Sequence, residues 1–173
     1  MKLLSRLVAL VLPLLAGCVN YGPSIPKDYS GPRAVIKDSA TSHSTSKADL
    51  FFVEKVAQRP VENTRIATKR MSYGQGLSLS LVNYDRGVPA GQPLTVSLVG
   101  RTEHAAPILA ITNAEYEVKG DLTFVPTAGT TYVVRGVLGE SLAEIWLEEE
   151  VGRRVIGEKI KPAGSAKLGF FEK

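Results

Sequence analysis

The stretch YEVKGDLTFVPTAGTTYVVRGVL, Tyr116–Leu138, decides the fold class. Tyr116, Val118, Gly120, Leu122 and Phe124 alternate with Glu117, Lys119, Asp121 and Thr123. A period of two with one apolar face is the signature of a half-buried β-strand. Pro126-Thr127-Ala128-Gly129-Thr130 then reads as a turn, and alternation resumes at Tyr132, Val134, Gly136 and Leu138. The two runs are expected to form a hairpin, with Gly120 and Gly136 marking bends, bulges or close packing. Tyr132 is either a plain core side chain or one whose hydroxyl caps a backbone group at the sheet end.

The same period appears elsewhere. Leu94, Val96 and Leu98 alternate with Thr95, Ser97 and Val99, and Leu77, Leu79 and Leu81 with Ser78, Ser80 and Val82. Residues 33–38 and 50–56 read as early strands, 61–68 as a weaker one and 108–111 as a short one. Residues 39–46, rich in Ser and Thr, read as a flexible loop. Residues 141–150 carry Leu, Ala and Glu that favour a helix, but Ile145 and Leu147 alternate with Glu144 and Glu148, and a strand is preferred. Residues 155–160 pair back on it across a turn at Glu150-Val151-Gly152. Seven to nine short strands point to a β-sandwich or a small barrel, and the expectation adopted is an all-β chain folded as a β-sandwich, of immunoglobulin-like or transthyretin-like type, over residues 33–173.

The amino-terminal end carries a different kind of signal. Lys2 and Arg6 precede an apolar run from Leu7 to Leu15, followed by Ala16, Gly17 and Cys18, the one cysteine of the 173 residues. Basic, apolar and then small residues make a secretion signal. The run falls well short of the roughly 20 residues needed to span a bilayer as a helix. Leu15-Ala16-Gly17-Cys18 resembles the lipobox of bacterial lipoproteins. The resemblance implies cleavage after residue 17, acyl chains on Cys18 and lasting attachment, since one chain alone binds reversibly. Val19, where an aspartate commonly retains such proteins in the inner membrane, implies the outer membrane. A single cysteine cannot form an internal disulfide, so lipidation is the use that explains it.

Removing residues 1–17 leaves about 156 residues, one domain and a tether. Lys2 and Arg6 leave with the signal, which lowers the formal charge from +4 and leaves no basic cluster of nucleic-acid type. Residues 18–32 contain Pro23, Pro26 and Pro32 among Gly and Ser, and read as an extended linker with a reach of roughly 40 Å. The run from Phe124 to Val134, with His104-Ala105-Ala106-Pro107-Ile108 and Ile145-Trp146-Leu147-Glu148-Glu149, resembles small bacterial β-sandwich lipoproteins over residues 33–160. That family has no assigned activity, so the resemblance implies a fold and a location.

Candidate chemistry is sparse. His43 and His104 lack the spacing of zinc ligands, and no metal or cofactor is expected. Gly139-Glu140-Ser141-Leu142-Ala143 lacks the last glycine of a nucleophile elbow. Glu148-Glu149-Glu150 is read as a solvated strand end rather than a catalytic pair. Ser72-Tyr73-Gly74-Gln75-Gly76 lacks the lysine and following helix of a phosphate loop and reads as an inter-strand loop. Trp146 is read as core; facing outward, it would be a binding anchor. The expectation is a non-catalytic, lipid-anchored outer-membrane protein that binds another envelope component. The alternatives are a small-ligand or glycan binder using loops at one end of the sandwich and, behind it, a hydrolase.

Overall fold

A computed structural model describes residues 21–173, so the expected signal and Cys18 lie outside the described residues. The chain forms β1 (Arg33–Lys37), β2 (Ser39–Ser44), β3 (Lys47–Val56), β4 (Arg59–Pro60), α1 (Thr64–Ser72), β5 (Asp85–Pro89), β6 (Leu94–His104), α2 (Pro107–Thr112), β7 (Glu117–Phe124), β8 (Thr131–Val137), β9 (Glu144–Glu149) and β10 (Val155–Ile160). The first sheet runs β10-β9-β8-β1-β5 and the second β2-β3-β6-β7, with β4 beside β3. Among the described residues all strand pairings are antiparallel except β1 with β8, and Gly22 bridges Val61 in parallel. The chain is an all-β sandwich, as its alternation predicts.

The inward positions of both sheets make one core. Leu94, Val96 and Leu98 of β6 meet Tyr132 and Val134 of β8 and Ile145 and Leu147 of β9. Both strand glycines mark close packing. A Cβ at Gly120 would lie 2.8 Å from Ile160, and one at Gly136 would run into the Phe51 ring of the facing sheet.

The predicted hairpin is instead an arch. β7 pairs with β6 in the second sheet, and β8 pairs with β9 and β1 in the first. Residues 125–130 cross between sheets, with Gly129 N–H bonded to Arg33 O and Gly91 N–H to Pro126 O. Phe124 and Tyr132 therefore meet edge to face, ring centres 5.2 Å apart. The Tyr132 hydroxyl accepts from Thr127 N–H at 2.9 Å while the ring is fully buried, so the core and capping readings both hold. Hairpin and arch turn the same faces inward, so alternation alone does not separate them.

Four further segments depart from expectation. The Ser/Thr-rich run 39–44 is strand β2, registered on β3 from Ser39↔Phe51 onward, not a flexible loop. Residues 108–111 belong to α2, opened by Pro107 at its first turn. Residues 64–72 are a helix, not a strand: Asn63 Oδ1 accepts from Ile66 N–H at 3.1 Å as its N-cap, and Lys69 and Arg70 sit in the last turn against the helix dipole.

The fourth departure explains the third. Residues 78–84 are extended but pair with no strand. Their amides at Ser80, Val82 and Tyr84 donate to the hydroxyls of Ser72, Thr68 and Thr64 at 2.9, 3.0 and 3.1 Å. Four helical residues rise about 6 Å, and two extended residues span about 6.6 Å. A hydroxyl every fourth helix position therefore matches an amide at every second position of an extended chain. The buried stripe of α1 is Thr64, Thr68 and Ser72, a polar seam where an apolar one is usual.

Asp38, in the crossing from β1 to β2, ties this layer to both sheets. Its Oδ1 accepts from Val53 N–H and Arg86 Nη1, and its Oδ2 from Thr64 N–H and Arg86 Nη2, all within 3.0 Å. Burial pushes the Asp38 carboxyl up, and the Arg86 charge opposes it. The four N–H donors occupy the lone pairs a proton would need, and we assign a carboxylate.

The stretch expected to be a free linker lies along the domain from Tyr21 to Pro32. Gly22 N–H donates to Pro60 O at 3.0 Å and Ser24 Oγ to Gly87 O at 2.7 Å. Tyr29 Oη donates to Pro32 O. The prolines fit this course, since a packed irregular segment loses little entropy at residues whose φ is already restricted.

Candidate functional site

The outer face of the second sheet carries a cleft of about 840 Å³, within the size range of ligand sites. Its floor is the end of β6, with Arg101, Glu103 and His104. One wall is α1 with the turn after it, including Tyr73 and Leu79. The other is α2 with the C-terminal segment, including Ala110, Ile111 and Phe170. The hydroxyl seam holds the first wall in place. The second is tied by Leu168 N–H to Glu115 O, and by Lys173 Nζ, which donates to Ala110 O and Asn113 O.

The floor is charged and paired. Arg65 donates through Nε and Nη2 to the Glu103 carboxylate at 3.0 and 3.2 Å, and Lys69 Nζ stands 3.3 Å from it. Arg101 Nη1 donates to Glu117 at 2.6 Å, and Nη2 lies 3.6 Å from Glu115. Burial raises the Glu117 carboxyl, but Arg101 and Lys119 outweigh it and the net position is below the ordinary value. The acids Glu103 and Glu115 are buried while Lys69 stays exposed, so the charge presented to solvent at this wall is the cation.

Of the two histidines, His104 reaches the cleft. Among the described residues its buried Nε2 has no hydrogen-bond partner. Burial pushes its imidazole down and Lys47 adds to this, while Glu115, the Ala114 backbone and Glu103 pull it back up in part. His43 is elsewhere: its Nε2 meets Asp49 Oδ2 at 2.8 Å, and Asp49 Oδ1 accepts from Thr102 Oγ1 at 2.7 Å. Ser141 is exposed in the β8–β9 connection, and among the described residues no hydrogen bond joins it to either histidine. Among those residues no cluster of three or more metal-ligating side chains occurs.

Ser72–Gly76 forms the end of α1 and the turn after it, not an inter-strand loop. The helix end beside it is the C-terminal one, whose partial charge is negative. Gly74 and Gly76 take positive φ, which the turn requires. This turn is one rim of the cleft, a role that the missing phosphate motif concealed.

The glutamate run is ion-paired; Glu148 is buried, while Glu149 and Glu150 are the solvated strand end expected. Glu148 accepts from Arg135 and from Trp146 Nε1, Glu149 from Arg154, and Glu150 from Lys37. Trp146 corrects the core expectation. Ile145 and Leu147 face the core, so Trp146 lies on the outer face of the first sheet. It is half-buried there, with Lys159 Nζ 4.0 Å from the ring centre. The pairing of Ile156 with Leu147 brings β10 alongside and supplies that cover.

Sequence reasoning missed Arg65, Lys69, Arg101, Glu103 and Phe170, and read Tyr73 as part of a loop without a role. The signal that points to them is a run of exposed apolar residues near cations, spread over three segments far apart in the chain. Compared with family models, curated proteins and solved structures, the chain matches none.

Proposed function

We propose that this chain is a lipoprotein held in the outer membrane through Cys18, that it is not an enzyme, and that its sandwich binds another component of the envelope at the cleft on the second sheet. The observation that carries the binding reading is the cleft itself, whose rims keep Tyr73, Ile111 and Phe170 exposed above a charged floor. Exposed apolar patches of this kind mark interaction sites. The anchor reading rests on Leu15-Ala16-Gly17-Cys18.

Two experiments test it. Radiolabelled palmitate enters the wild-type protein and not Cys18→Ala; label persisting in that variant refutes the anchor. A photo-crosslinking residue at Ile111 yields a reproducible adduct in intact cells, of protein or of lipid mass. No adduct, together with unchanged envelope integrity in a deletion strain, refutes the binding role. The aromatic rims also favour a second reading, a small-ligand or glycan site, in the cleft rather than at the loop end of the sandwich. A soluble ligand that raises Tm and is lost in Tyr73→Ala would support it.

A further inference from the structure

The packing of residues 21–32 removes the long tether and leaves a short one. Gly22 is pinned to Pro60, so three residues, or four Cα–Cα steps, separate Cys18 from the domain. Fully extended they span at most about 14 Å. From Pro60 the chain enters α1, about 13 Å long, and the cleft rim begins at its far end. An acylated Cys18 thus brings a rim one helix length away within reach of the lipid headgroups.

That rim has the chemistry of an interfacial surface. Tyr73 is 91% exposed and Phe171 96%, and Met71, Ile108 and Phe170 are each more than half exposed. Lys69 and Arg70 stand beside them with side chains 54% and 71% exposed, while their partners Glu103 and Glu62 are only 6% and 23% exposed. Glu172 is an exposed acid on this side, with its carboxylate accepting from Gly169 N–H. Aromatic and aliphatic tips beside outward-facing cations suit an anionic lipid surface.

We infer that the envelope component met by this cleft face is the anionic lipid surface that holds the anchor, with the Tyr73 and Phe170–Phe171 rims seated among the headgroups and Lys69 and Arg70 on lipid phosphates. The inference rests on the proposed anchor and names the partner of the proposed site. It also orients the molecule. The outer face of the first sheet, with Trp146, points away from the membrane.

Trp146, the single tryptophan, makes the test direct. The full lipidated protein is reconstituted in vesicles of phosphatidylethanolamine with phosphatidylglycerol, their acyl chains brominated to quench nearby tryptophan. Flotation with the vesicles tests the anchor separately. In the floated wild-type protein Trp146 stays unquenched. In Trp146→Phe/Phe171→Trp, and independently in Trp146→Phe/Tyr73→Trp, the rim tryptophan is quenched. Quenching weakens when phosphatidylcholine replaces phosphatidylglycerol. Reversing Lys69 and Arg70 to Glu shifts the docked population by roughly fivefold or more per cation removed. A floated protein with neither rim tryptophan quenched, or with Trp146 quenched instead, overturns the inference while the anchor stands. So does rim quenching indifferent to lipid charge and to both reversals. A protein adduct at Ile111 without rim quenching assigns the face to a protein partner and overturns it as well.

Discussion

Replacing Thr68 with Val isolates the hydroxyl seam between α1 and residues 78–84. Thr68 is fully buried, and its Oγ1 accepts from Val82 N–H at 3.0 Å. Valine has the same shape, so no cavity opens and α1 keeps its packing. What changes is one acceptor: the Val82 amide is left without a partner beneath the helix. Leaving a buried donor unpaired costs about 1–3 kcal/mol. In a domain of this size, each kcal/mol lowers Tm by roughly 2–4 °C, for an expected drop of roughly 2–12 °C.

Amide hydrogen exchange gives the sharper reading. Ser80, Val82 and Tyr84 donate to hydroxyls, whereas among the described residues the amides of Leu81 and Asn83 have no partner. The wild-type protein should therefore show alternating protection, slow at 80, 82 and 84 and fast at 81 and 83. Thr68→Val should speed exchange at Val82 by roughly five- to a hundredfold, with Ser80 and Tyr84 less affected. Uniform exchange over residues 80–84 would sink the seam. So would a Thr68→Val protein with wild-type Tm and an unaltered Val82 amide.

Three further outcomes follow from the same structure. Arg86→Met leaves the Asp38 carboxylate buried without its cation and should cost about 3–5 kcal/mol in urea unfolding; a double-mutant cycle with Asp38→Asn that yields no coupling contradicts the bidentate pair. Tyr132→Phe removes the acceptor of Thr127 N–H and should cost about 1 kcal/mol, and an unchanged Tm would show that the arch does not depend on that bond. Burial holds the His104 imidazole below its ordinary value of 6.5. In the window between the two values the unfolded chain binds a proton that the folded one does not. Stability is therefore full above 6.5 and falls as pH drops toward the folded value. His104→Gln should flatten that slope between pH 7.5 and 5, and superimposable profiles for the two proteins would exclude His104 as its source.

The strands that were legible are those whose two faces meet different solvents. Residues 94–99 and 145–148 alternate because one face lies in the core and the other does not, and the pattern shows this whatever the partner strand is. Residues 77–82 show its limit. Their alternation predicts a strand, but Leu77 and Leu81 are exposed and the amides donate to Thr64, Thr68 and Ser72 of a helix, so no strand forms. The helix was concealed by the same seam, because its buried stripe is hydroxylic and lacks the apolar period of a core helix. Asn63, followed by Ala67, Lys69, Arg70 and Met71, was the local signal that marked it.

By itself, the sequence determined that this chain is a β-sandwich, because period-two burial is written locally in each strand. The proposed lipid attachment at Cys18 rests on the sequence alone, because the order of basic, apolar and small residues before a lone cysteine is itself local. The tertiary structure decided the rest. It turned a hairpin into an arch between sheets, laid the presumed linker on the domain, sent Trp146 outward, and assembled a cleft from α1, β6, α2 and the C-terminal segment. Each of these depends on which distant segment supplies the partner for a face, an edge or an amide. Alternation records that a face is buried, not what buries it.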